Sequence, residues 1–138
     1  MSITVEYRFA DQSSHQLKTL SQSNASAAVQ DFPWDQQLAL FNQGDQAVGP
    51  EVRFTRSTDT HEGAGDVEAY ASIAKTEDGT WLIVAGSTMP SRFLGFFPIT
   101  RKADIIMDGI AWEDVQNFIK SFYQDTRADL FAWMQKQG

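Results

Sequence analysis

Cysteine is absent from all 138 residues, which excludes disulfides, thiolate metal sites and thiol nucleophiles. Histidine is nearly absent too. The two that occur, His15 and His61, sit in separate polar segments, so no imidazole ligand set can be built from their spacing. Long apolar runs are missing as well: "WLIVAG" at 81–86 falls far short of the roughly 20 residues that cross a bilayer. Basic side chains are the minority, 11 Lys and Arg against 18 Asp and Glu, for a formal charge of −7. A field of that sign repels phosphate backbones and anionic headgroups alike, so neither nucleic acid nor a membrane is expected as a partner. A basic protein would suit it, though the same acidity also serves solubility.

The usual signatures of catalysis are lacking. No G-x-S-x-G elbow occurs, and "AGSTMPS" offers Ser87 without a following helix to hold its turn. "EGAGDV" has neither the glycine spacing nor the lysine of a phosphate-cradling loop. "DTHEGAGD" gathers Asp59, His61, Glu62 and Asp66 but not at the alternating spacing of a calcium loop. We therefore expect no enzyme activity, no cofactor and no metal. Glu6 and Arg8 interrupt the apolar stretch that a secretory leader requires, and a cytoplasmic location is expected.

What is present is a foldable pattern. With 42% hydrophobic residues, the chain has the length of one domain, 1–138, able to bury about two-thirds of its unfolded surface. "ITVEYRF" alternates Ile3, Val5, Tyr7 and Phe9 against Thr4, Glu6 and Arg8, which predicts a strand with one wet face. Around Gln16 to Leu20 a short second strand fits, and the Ser and Gln content there suits a loop nearly as well. Asn24 or Ser26 can cap a helix through "ASAAVQDF", and Pro33 suits the first position of another bearing Trp34, Leu38 and Phe41 and ended by Gly44. "GPEVRFTRS" is a further strand, and "VEAYASIAK" and "WLIVAGS" flank "TEDGT", whose Asp78-Gly79 pair predicts a hairpin turn. "RFLGFFPIT" and "ADIIM" extend this to a meander of four strands over residues 66–107. From Asp108 the spacing becomes helical, with Val115, Phe118, Ile119 and Phe122 on one face. A last helix, capped by Asp125 or Thr126, carries Leu130, Trp133 and Met134. The sum is an α+β domain, an antiparallel sheet of about five to six strands packed by an N-terminal helix and two C-terminal helices.

Two features invite a binding role. "PSRFLGFFPIT" places three phenylalanines within five residues, and as a strand it would carry apolar groups on both faces, only one of which can meet the helices. The alternatives are core, the wall of a ligand pocket, or a surface that grips another protein. The second feature is acidic: Asp59, Glu62, Asp66 and Glu68 fall in "TDTHEGAGDVE", with Glu77 and Asp78 in the predicted turn, and together they would form a rim that steers a basic partner. Trp81, Phe93 and Phe96 are the expected anchors within it.

The succession of an N-terminal strand, an aliphatic helix into "FPWDQQ", "GPEVRF" opening the sheet, and the closing "AWEDVQNFIKSFYQDTRADLFAWM" resembles small immunity proteins of bacterial polymorphic and contact-dependent growth-inhibition toxin systems. The resemblance implies a cytoplasmic antidote that binds and blocks a cognate toxin domain, often a nuclease, without chemistry of its own. It transfers no contact residue to this chain. The other class consistent with the residues is a small-ligand or enzymatic α+β domain whose pocket the aromatic stretch would line.

Overall fold

The computed structural model describes residues 1–17, 19–44, 49–58 and 66–138. Six strands and four helices follow in the order β1 (Ser2–Arg8), β2 (Ser14–Leu17), α1 (Gln22–Asp31), α2 (Trp34–Gln43), β3 (Glu51–Ser57), β4 (Val67–Lys75), β5 (Trp81–Phe93), β6 (Phe97–Ile110), α3 (Trp112–Gln124) and α4 (Arg127–Gln137). The strands form one sheet in the order β2-β1-β3-β4-β5-β6, every neighbouring pair antiparallel. This is the expected α+β architecture.

Alternation along each strand decides which face is hidden. Val5, Val52, Phe54, Ala71, Ile73, Ile83, Ala85 and Ile105 point one way and are buried, together with Val115, Phe118, Ile119 and Phe122 of α3 and Leu130, Phe131 and Met134 of α4. Their neighbours on the opposite face, among them Arg53, Tyr70 and Ile106, are exposed. One row of aromatic rings runs through the covered side: Tyr7 to Phe32 at 4.9 Å between centroids, Phe32 to Trp34 at 4.4 Å, Trp34 to Trp81 at 5.5 Å, and Trp81 to Trp112 at 5.0 Å. Trp34 also donates its indole N–H to the Val29 carbonyl at 2.7 Å, which ties α2 to the end of α1.

Several boundaries differ from the sequence reading. Ser21, not Asn24 or Ser26, caps α1, its hydroxyl accepting from the Asn24 amide at 3.3 Å. Pro33 takes the N-cap position of α2. The meander over residues 66–107 has three strands rather than four, because "RFLGFFPIT" is not a strand of its own: it ends β5 at Phe93, bends at Leu94–Phe96 and opens β6 at Phe97. Asp108 does not begin a helix: β6 continues to Ile110 through a bulge in which Asp108 and Gly109 face Leu82, with Gly109 at φ 67°. Only at Trp112 does the helix start, with the Asp114 carboxylate accepting from the Ala111 amide at 3.2 Å. The turn at Asp78-Gly79 forms as expected, with Gly79 at φ 85° and the Thr80 amide and hydroxyl bound to Asp78. Hydrogen bonds from Thr76, then Thr80, hold the Asp78 carboxyl down to a pKa of about 2.

A second irregularity buries a charge pair. The register shifts between Arg56 and Ser57, leaving Glu68 as the extra residue on β4 and turning it onto the helix-covered face. There Arg56 Nε donates to Glu68 Oε2 at 2.8 Å, and Arg56 Nη1 to the Phe122 carbonyl at 3.0 Å, near the end of α3. The Thr58 hydroxyl donates to the other carboxylate oxygen at 3.1 Å. The two side chains are only 5% and 11% exposed, so removing one partner strands a buried charge. Glu68→Ala should therefore cost about 3–5 kcal/mol in urea unfolding, whereas the paired change Arg56→Met with Glu68→Leu recovers most of it. Two cheap single variants would show that the pair carries little of the fold.

Trp81→Ala should cost about 3–5 kcal/mol, because it cuts the aromatic row between Trp34 and Trp112. Tyr123 points to an opposite kind of change. Its hydroxyl is buried without a hydrogen-bond partner among the described residues, and desolvation pushes its pKa up to about 12 from 10.0. A folded-state pKa above the unfolded one contributes stability that is complete below pH 10 and lost as pH rises towards 12. Tyr123→Phe should leave neutral-pH stability unchanged or higher and flatten that alkaline loss, as read by thermal unfolding across the pH series.

Candidate functional site

β4 ends its pairing with β5 at Ala69 and Ser87, beyond which only the Thr88 hydroxyl reaches back, donating to the Val67 carbonyl at 3.0 Å. From Met89 onwards β5 pairs with β6 alone, Met89 opposite Arg101 through to Phe93 opposite Phe97. The outer part of this hairpin is thus a two-stranded arm, roughly 20 Å from Ser87 to Leu94 at 3.3 Å per residue. Its bend is closed by the Phe96 amide on the Phe93 carbonyl at 3.3 Å, with Leu94 at φ 55° and Gly95 at φ 80°. Two successive left-handed residues match the right-handed twist of the flanking strands, which is why the chain turns here. Glycine adopts that conformation freely, whereas leucine carries a steric cost of about 1–2 kcal/mol.

An isolated hairpin is marginal in water, so its base must be held. Arg127 of α4 does this, donating from Nε to the Thr88 carbonyl at 2.9 Å and from Nη2 to the Thr88 hydroxyl at 3.0 Å. The Arg101 guanidinium lies 5.4 Å from the centroid of the Phe131 ring. Beside this base is a shallow groove of about 530 Å³ bounded by Asp66, Thr88, Pro90, Ile99 and Arg127. Pro90 and Pro98 occupy one strand of the arm each. A proline survives in a ladder only where its nitrogen faces outward, so both outer edges of the arm lack a donor and resist the addition of another strand. Recognition by the arm therefore falls to its side chains.

Those side chains are apolar and in water. Phe93 is 56% exposed, Leu94 67%, Phe96 64%, Phe97 52% and Ile99 42%, with the Phe96 and Phe97 rings 4.5 Å apart. The phenylalanines of "PSRFLGFFPIT" do not fill the core but stand in water, while Pro90, Pro98 and Ile99 of the same stretch bound the groove at the base of the arm. Charge is segregated along with it. Between Asp78 and Asp104 there is no acidic residue, while Arg92, Arg101 and Lys102 are basic. That segment holds +3 of a total of −7, which leaves −10 on the rest of the chain.

The residues expected to form the site are not brought together as a set. Phe93 and Phe96 stand at the tip. Trp81 lies 5% exposed in the aromatic row, because its position opening β5 faces the helices, so it offers no surface for a partner. Glu68 is buried and bound to Arg56, so it adds no free charge to a rim. Asp66 is exposed just before β4, near the base of the arm. Glu77 and Asp78 follow the far end of β4, roughly 30 Å away along the strand, so Asp66 does not share a single rim with them. Asp59 and Glu62 lie outside the described residues, as does His61. Leu94, Phe97 and Ile99 join Phe93 and Phe96, and the acid-free run around them is a signal in the sequence that the sequence reading did not use. Among the described residues no group of three or more His, Asp or Glu could hold a metal ion, and no helix is long and apolar enough to cross a membrane.

Leu94→Asn relieves the left-handed strain at an exposed position and should raise stability by about 1 kcal/mol. Chemical denaturation reads this directly, and a destabilised variant would mean that Leu94 is packed in solution. No protein-family model, curated protein or solved structure matches this chain.

Proposed function

We propose that this protein is a cytoplasmic antidote that binds a cognate toxin domain and blocks it without catalysis, with the β5–β6 arm as its principal grip. The observation that carries this reading is the arm itself: five exposed apolar side chains on a projecting hairpin that no other described residue covers. Exposed apolar patches of this kind mark partner sites, and aromatic residues supply most of the binding energy where they are found. The resemblance to immunity proteins supplies the class of partner. The −10 carried by the rest of the chain favours a basic one, such as a nuclease domain, and Asp66 is the exposed acid best placed to meet it beside the arm.

The test is calorimetric titration with the purified toxin domain encoded by a neighbouring gene. Tight binding that abolishes toxicity is expected, and Phe93→Ser with Phe96→Ser should weaken it by at least roughly 100-fold while circular dichroism stays unchanged. Asp66→Lys should slow association chiefly at low salt. Full affinity in the arm variant would place recognition elsewhere on the molecule. Absence of binding by the wild type would end the antidote reading.

A further inference from the structure

The whole-chain charge speaks against an anionic surface, but the arm reverses it locally. Phe93, Phe97 and Ile99 lie on the side of the sheet that the helices cover, in line with Arg101, while Arg92, Pro98, Thr100 and Lys102 lie on the other. Leu94 and Phe96 close the end at the bend. The end and one flank are therefore apolar, and basic groups stand behind them on both faces. Arg92 is about 7 Å back from Leu94, and Arg101 and Lys102 are about 13 and 17 Å back from Phe97, at 3.3 Å per residue. No acidic residue occurs between Asp78 and Asp104, and Asp66 borders the arm only at its base.

We infer that the arm tip is a lipid anchor: Phe93, Leu94, Phe96 and Phe97 enter the headgroup and acyl boundary of an anionic phospholipid bilayer, with Arg92 at the level of the phosphates. This goes beyond the antidote reading and does not depend on it. Interfacial segments sit about 5–10 Å deep. That depth takes in the four tip side chains and brings Arg92 to the headgroups, where its stem packs on acyl chains and its planar guanidinium matches a phosphate. Ile99, two residues behind Phe97, follows along the same flank.

The backbone suits this depth as well. An edge N–H taken out of water without a partner is costly in lipid. Pro98 offers none at the outer edge just behind the tip, and the Phe96 amide is bound to the Phe93 carbonyl. Projection then keeps the acidic body away. The tip stands roughly 20 Å beyond the last pairing with β4, whereas charge acts over about 8 Å at physiological salt, so the −10 of the body is screened while Arg92 is in contact. A fluid surface also closes round a narrow convex end and its flank together, with no preformed hollow required. Toxin and bilayer claim the same side chains, so a bound toxin domain would lift the protein off the membrane.

Flotation with vesicles of equal phosphatidylglycerol and phosphatidylcholine should carry the protein with a partition constant on the order of 10⁴ M⁻¹, that of a single acyl anchor. Pure phosphatidylcholine vesicles should carry it roughly tenfold less. Phe93→Ser with Phe96→Ser should lower partition to the anionic vesicles by more than roughly tenfold, and Arg92→Glu by roughly tenfold, while circular dichroism stays unchanged. Binding should be stronger in about 0.15 M salt than in about 0.01 M, where the field extends about 30 Å and the body is felt; a basic patch alone gives the reverse order. A Phe96→Trp variant reports depth: brominated acyl chains should quench it more strongly than the wild type, whose four tryptophans lie in the body. No flotation with the anionic vesicles overturns the inference, as does equal flotation with the neutral ones or binding indifferent to the arm substitutions. Toxin binding by a protein that ignores vesicles would leave the antidote reading standing.

Discussion

The rest of the structure hangs from the row of rings that links Tyr7, Phe32, Trp34, Trp81 and Trp112. A sheet hides one face under helices and leaves the other to water, and this row is where the first strand, the α1–α2 joint, the start of β5 and the start of α3 meet. Each ring buries about 150–250 Å², so the row outweighs any single aliphatic contact in the domain. Because Trp81 opens β5, the row fixes where that strand begins. Past the bulge opposite Leu82, Ile83 pairs with Met107 and the register of β6 runs unbroken to Phe93 and Phe97. β4 has nine residues, β5 thirteen and β6 fourteen. Anchored at one end and longer than their neighbour, β5 and β6 have to leave the sheet at the other, and the arm is the result of that mismatch.

The arm gains little from folding. Its tip side chains remain largely in water, Leu94 sits in a backbone region that disfavours it, and Arg127 and Arg101 are what fasten the base to α4. What the fold leaves unclaimed is available to a partner. Burial of a large apolar side chain is worth roughly 1.5–3 kcal/mol, so five partly exposed ones approach the cost of roughly 4–15 kcal/mol for bringing two bodies together. A contact restricted to the tip is thus near break-even, and a stable complex needs surface beyond it.

Much of this was legible in the residues and some was not, for identifiable reasons. The strands at 2–8, 51–57 and 67–75 and the apolar stripe of α3 follow from alternation and helical spacing, since each has one face that must be buried. The turn at Asp78-Gly79 follows from local chemistry alone. The bend at Leu94-Gly95 was hidden because leucine is a poor left-handed residue, so nothing at 94 announces a turn and the aromatics read as an unbroken strand. Glu68 was misplaced for a similar reason: a bulge moves one residue to the other face, and no composition rule marks where a bulge falls. Trp81 is apolar and next to a turn, which suits an anchor as well as a core residue, and only the ring partners from α2 and α3 decide between them. The tip phenylalanines were recognisable as a surplus, while their projection beyond the sheet depended on the length of β4.

Net charge misleads for the same structural reason. The value of −7 averages a body of −10 with a segment of +3, and a partner meets one or the other but not the mean. Screening separates them: at physiological salt charges act over about 8 Å, and the tip stands roughly 20 Å beyond the last strand pairing with β4. A surface touching the tip therefore meets five apolar side chains and Arg92, and senses the acidic body only once it has closed down along the arm. Repulsion of anionic surfaces, which follows from the whole-chain charge, does not hold at the arm. The body attracts basic partners towards the protein, while Arg92 beside the apolar tip suits a contact with acidic edges. Electrostatics on this chain thus sets the approach and the final seat by different residues.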